Sequence, residues 1–555
     1  MFTPTEAQGT APLFLLEIDY HGELYRFAEQ AINLADGTGY KNYNNILRDF
    51  SYSESTALIG IDIEGNSVSC AVIFDSINIV QQWRKGFTLE GQVAELSYVL
   101  LRDGIPQQDY EDRVLVYKGL IQGPVFGDPL EPIGFASFSI ERKPYDFSRT
   151  ILKPQDVISA LTFTKHDDET AGGKPYPIVI GQPGRPKDAN GLVRTKYCTP
   201  CYMIEKNSGS GDNLFMIAGH AVQATQVQVR DEAKNNVTLN VLSAVDYNGQ
   251  AYSYVNFTGS ALVYPGKTLF GNSDEVTNVK EWWVSWYNGG GMLNPFGDGM
   301  LKGGGDICRW ALLLSGVEVD YGAWGNAAVF LNGFIFAGYI NDATITAWEW
   351  VSSQIIPFLP VEVTAGVKGI RPILALVYAS RYVKPANRIS SNSDFLQAGP
   401  LETLQDTTEL LNSVTIRYAK NGFDQDMSML AGIGPNFTDY SYTAEYRDDI
   451  YSSTAANRYG LLELTIDAEF IYDRETAFYV AHTMVKSKAF PMIQINYNAD
   501  NKFGYLHLGD IIQFTDSNLY FEDVIATVLG KEWQEPFWRY IIGIENAAIL
   551  LARST

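Results

Sequence analysis

The chain has 555 residues, 46% hydrophobic and 19% charged, a globular balance with room for three or four domains of ~150 residues. Its 64 acidic and 41 basic residues give a net charge of −23, which argues against a dedicated nucleic-acid surface and against adhesion to an anionic membrane. Four cysteines in this length make no disulfide framework and point to assembly in a reducing compartment.

The first 150 residues form a succession of strands. Leu16, Ile18 and Tyr20 alternate with Glu17, Asp19 and His21, and Gly22 then turns the chain into Leu24–Phe27. Leu58–Ile63 and Val68–Phe74 around Glu64-Gly65-Asn66 suggest a second hairpin, followed by strands at Val114–Tyr117, Leu120–Ile121 and Ile133–Ile140. From Ile151 the character changes: Pro154–Leu161 is expected as a short helix, then come loops rich in Gly and Pro, then strands at Leu214–Ile217, Gln226–Val229 and Val237–Val241. Gly289–Gly305, with eight glycines, is expected to be a flexible domain boundary. Asp306–Ser315, capped by Asp306 and ended by Gly316, and Thr344–Gln354 are expected helices, and Ile370–Ala379 a strand. Further strands follow at Ser413–Tyr418, Leu461–Ala468, Ile493–Tyr497, Ile511–Phe514, Val524–Leu529 and Tyr540–Ile544. Between them, Asp473 caps a helix whose apolar stripe is Ala477, Val480, Ala481, Met484 and Val485. Aromatics at 13%, with 33 Tyr to 10 Trp, fit half-buried strands. The opening Met1–Glu6 lacks the basic start and apolar core of a signal peptide. The run Ala328–Ile340 is too short to span a bilayer, so no membrane segment is expected.

Each candidate for chemistry has a plainer explanation. Cys198-Thr199-Pro200-Cys201 has redox spacing, but Tyr202-Met203-Ile204 continues as a strand where a redox pair needs a helix. Cys70 and Cys308 stand alone in their segments and complete no metal site. Gly266-Lys267-Thr268 imitates the end of a phosphate loop, yet Ala261 replaces the required glycine and a hairpin turn explains it. His166-Asp167-Asp168-Glu169 is a solvated loop, because adjacent residues point in different directions. His21, His166, His220, His482 and His507 lie far apart and accompany no nucleophile motif. No catalytic residue, cofactor site or metal site is assigned, and the chain is not expected to be an enzyme.

The segment Leu13-Phe14-Leu15-Leu16-Glu17-Ile18-Asp19-Tyr20, with Tyr25-Arg26-Phe27 and Tyr40, resembles the start of tail and baseplate proteins of tailed bacteriophages. Val114–Ile121 is similar to a strand and turn of their tube-like domains, and Lys174–Gly181 to a segment of siphophage-type hub proteins. Tyr459-Gly460, Asp473–Ala477 and Leu506–Ile512 resemble the strand–helix–strand pattern of the tail hub. The resemblance implies a mainly β fold with some α, in which two antiparallel tube-like β-barrels flank a mixed α/β and β-rich middle. The corresponding domains are 1–150 (first barrel), 151–300 (β-rich insertion), 301–400 (mixed α/β) and 401–555 (second barrel). It further implies a homotrimeric, ring-forming connector at the tail tip of the virion, assembled in the host cytoplasm. The tail tube or distal tail protein, the tape-measure protein and a central spike or fibre are the implied partners. DNA would only pass through, in a lumen whose carboxylates repel phosphate.

Two other function classes compete. The aromatic middle, Trp282–Tyr287 and Tyr321–Trp324, can stack on sugars of a host envelope or else fill a core. A cell-wall hydrolase using paired carboxylates, or a thiol oxidoreductase, is the third class.

Overall fold

In the computed structural model the chain's opening residues form a strand, β1 (Ala11–Tyr20), whose residues Phe14, Leu16, Ile18 and Tyr20 share one buried face. The structure describes residues 10–20, 22–55, 61–62, 67–75, 88–126, 133–168, 171–183, 199–206, 212–230, 236–258, 282–374, 388–390, 395–403, 410–420, 427–434, 449–518, 521–535 and 537–544. These fall into two compact units, each built from separate stretches of chain: 1–145, 362–408 and 490–555 in the first, 146–361 and 409–489 in the second. The expected divisions at 150, 300 and 400 follow sequence order, whereas the units are interleaved along it.

The first unit contains a closed barrel of seven strands: β1, β2 (Glu23–Ala28), β3 (Asn45–Ser55), β4 (Ser67–Asp75), β5 (Val93–Arg102), β6 (Val114–Phe126) and β7 (Ile133–Glu141). Antiparallel ladders run β2-β1-β5-β6-β7-β4-β3, and a parallel pairing of Phe27–Ala28 with Asn45–Ile46 closes the ring. Closure removes the edge strands that a sheet of this length otherwise exposes. β1 departs from simple alternation because Leu13 and Leu15, on its outer face, are also buried. The hairpin Ile32–Ala35/Tyr40–Tyr43 supplies Leu34 and Tyr43 to the cluster that covers them.

Strands after residue 490, and one before it at Phe395–Thr403, extend this sheet. Phe521–Gln534 pairs with β3 at Gly530↔Ser55, Lys531↔Glu54 and Glu532↔Ser53, and Phe537–Ile544, Ile493–Ala499 and Phe395–Thr403 follow in order. Trp538 sits with its ring centroid 5.9 Å from Phe14, 5.9 Å from Tyr52 and 6.1 Å from Tyr98, so both layers share one core. Among the described residues, then, the C-terminal strands do not close into a barrel of their own, because their apolar face is spent on the N-terminal barrel. Ile61–Asp62 also corrects an expectation: it pairs in parallel with Val363–Thr364, not in a hairpin with β4.

The second closed barrel lies in the second unit, where strands but no barrel were expected. Its six strands are β8 (Thr199–Glu205), β9 (Asp212–Ala218), β10 (Gln226–Arg230), β11 (Asn236–Val245), β12 (Ala251–Thr258) and β13 (Trp282–Asn288), in the antiparallel order β8-β9-β12-β11-β10-β13. Thr199↔Val284 and Cys201↔Trp282 close it, and Phe215, Ile217, Val255 and Trp286 fill it. The mainly β class with two barrels therefore holds, with the second barrel at 199–288.

Helices α1 (Gly304–Ser315), α2 (Tyr321–Leu331) and α3 (Ala347–Gln354) follow in this unit. Gly316, at φ 71°, ends α1 as expected, but Gly303 is its N-cap and Asp306 lies inside the first turn. Ser413–Lys420, between Met427–Ile433 and Glu463–Ala468, makes a three-stranded sheet. After α4 (Asp449–Tyr459), α5 (Arg474–Lys488) packs on the first two of these strands, with Asp473 Oδ1 accepting from Thr476 N at 2.9 Å as its sequence predicts. Pro154–Leu161 forms turns rather than a helix: the Thr162 hydroxyl accepts from Ser159 N at 2.9 Å, and Val157 bridges to Pro175.

Candidate functional site

The most developed polar constellation on the first barrel centres on Glu17. Its outer-face position is buried, and it accepts from Arg26 Nε at 2.8 Å, Tyr43 OH at 3.0 Å, Tyr110 OH at 3.0 Å and Arg113 Nη2 at 3.3 Å. The register puts Glu95 directly opposite Glu17, a like-charge pair that is destabilising by itself. Arg113 lies between them, 3.7 Å from Glu95, and stacks 4.0 Å over the Tyr110 ring, while Lys118 reaches Glu95 at 2.7 Å. Burial, and then the Glu17 charge, push the Tyr43 and Tyr110 phenols up, so both remain donors. This belt ties the 32–43 hairpin to the barrel wall. It is an arrangement for holding a surface in place, since the Glu17 carboxylate already accepts four hydrogen bonds.

A second cluster lies in the core of the same unit. Lys531 is buried, donates to Gly504 O at 2.5 Å, and sits 4.3 Å over the Trp538 ring. Only glycine fits at 504, where a Cβ would stand 2.5 Å from Tyr98 OH and 2.6 Å from Trp538 Nε1. Nearby, burial and then the Lys531 charge bring His507 down to about 3, so the imidazole is neutral. Burial works against ionisation of Asp510, but Arg371 at 2.9 Å and the His507 N–H outweigh it and hold the carboxyl below its usual range.

In the second unit the glycine-rich stretch 289–305 is pinned, which corrects its expected flexibility. Gly291 N donates to Gly181 O at 2.6 Å and Met292 N to Val179 O at 2.8 Å; a Cβ on Gly291 would lie 2.1 Å from Val179 O. Asp306 accepts from Asn294 Nδ2 at 2.9 Å, Asn332 Nδ2 at 3.0 Å and Arg309 Nη1 at 3.1 Å, and its own N–H donates to Asn332 Oδ1 at 2.9 Å. These glycines serve close backbone packing rather than freedom.

The residues singled out in the sequence do not converge. Cys198, Gly266-Lys267-Thr268, His21 and Glu169 lie outside the described residues. Cys201 is buried in β8, and burial pushes the thiols of Cys70 (to about 12) and Cys308 up, away from the reactive thiolate. His166 bonds Phe163 O and Asp168 Oδ1, each at 2.7 Å. His220 Nε2 accepts from Val179 N at 3.0 Å while Nδ1 faces Ala221 O at 2.9 Å, and burial lowers it to about 4. Trp286, bonded to Thr199 Oγ1 at 2.8 Å, and Trp324 are buried and offer no sugar platform. No group of three or more His, Cys, Asp or Glu fit to hold a metal occurs among the described residues, and no described helix is long and apolar enough to cross a membrane. The Glu17 and Asp306 networks were missed because their central carboxylates reach partners up to 96 and 26 residues away, a spacing that no local pattern reports.

No protein-family model and no curated protein matches the chain. Among solved structures it is similar to a tail protein from Neisseria meningitidis MC58, at 8% identity over 96% of both chains and a TM-score of 0.32. It is similar to the 43 kDa tail protein of prophage MuSo2 from Shewanella oneidensis, at 9% identity over 96% of this chain and 98% of that one, TM-score 0.35. A chain of the phage P2 baseplate in its activated conformation matches at 11% identity, over 66% of this chain and 98% of that one, TM-score 0.16. All three come from tails or baseplates. With TM-scores below 0.5, these likenesses by themselves settle neither fold nor role.

Proposed function

We propose that the chain is a non-enzymatic structural component of a phage tail tip or baseplate, a hub whose copies form a ring between the tail tube and a central spike or fibre. The observation that carries this reading is the first unit: a closed seven-stranded barrel whose β3 pairs onward with Gly530–Glu532, so that barrel and C-terminal sheet share one core. A wall element needs that construction, since closure and a shared core resist shear where a loop-built pocket does not. The sequence resemblance to tail hubs supports the same role, and three copies are the number it implies. The net charge of −23 supports a lumen that lets DNA pass without holding it. Distal tail, tape-measure and spike proteins are the proposed neighbours. Electron microscopy of the purified chain tests this: rings with a central channel and an acidic inner wall are expected, and a basic wall or a channel-free particle would refute it.

A further inference from the structure

We draw no further inference here: the strongest candidate, the serine-lined outer wall of the seven-stranded barrel, where Ser51, Ser69 and Ser139 stand side by side across β3, β4 and β7, is a stripe of small residues, and nothing in the structure shows what lies against it.

Discussion

Removing the Glu17 carboxylate tests how the barrel wall is held. In Glu17→Ala, two guanidinium groups and two phenols lose their common acceptor at 2.8–3.3 Å. Breaking a buried ion pair from one side costs about 3–5 kcal/mol. Arg26 and Arg113 keep side-chain exposures of 22% and 17%, and Arg113 still has Glu95 at 3.7 Å, so partial rehydration brings the expected loss to about 3 kcal/mol. Glu17→Gln keeps the shape and one acceptor and should lose about half as much. Native-state hydrogen exchange of the full chain reports this locally: amides of 11–20 and 40–43 should exchange roughly 10²-fold faster in Glu17→Ala. The exposed Glu23 is the control. If Glu17→Ala leaves those amides as protected as Glu23→Ala does, the belt is not what fastens the hairpin to the barrel.

Trp538→Ala should cost about 3–5 kcal/mol and destabilise the β1 and Phe537–Ile544 regions together, as followed by hydrogen exchange, because one core serves both; loss confined to the C-terminal strands would contradict a shared core. Both His220 (about 4) and His507 (about 3) titrate below the free value of 6.5, so the unfolded chain takes up protons first on acidification. Their contribution to stability is complete above about pH 7 and falls as pH drops through 6.5 toward 4 and 3. For His220 the loss is about 3 kcal/mol, and melting temperature against pH should be flatter in His220→Gln. Gly291→Ala, which places a methyl against Val179 O, should cost about 1–3 kcal/mol; an unchanged melting temperature would mean that the glycine-rich stretch is not tightly packed. Maleimide should leave Cys70 and Cys308 unlabelled until the protein unfolds, with labelling followed by peptide mass.

Much of the secondary structure was legible because its signals are local. The alternation Leu16-Ile18-Tyr20 and the Asp473 cap each show within a few residues, and each forms as expected. The placement of the second barrel was not legible: β8 to β13 look like separate strands until Thr199 meets Val284 across 85 residues, and the C-terminal strands look self-sufficient until Trp538 meets Phe14. α2 escaped notice because its run of small and apolar residues, broken only by Asn326, has no clear amphipathic period to announce it. The glycines of 289–305 suggested flexibility since sequence cannot distinguish a glycine that frees the chain from one that admits a neighbouring backbone. For function, the resemblance pointed to an assembly, which no local sequence pattern locates on the surface.

The claim that this chain builds a ring is tested most directly by its mass in solution, measured by light scattering on the purified full-length protein. The account predicts a stable particle of three 61.7 kDa chains that persists on dilution, and a strict monomer across the whole concentration range would contradict it.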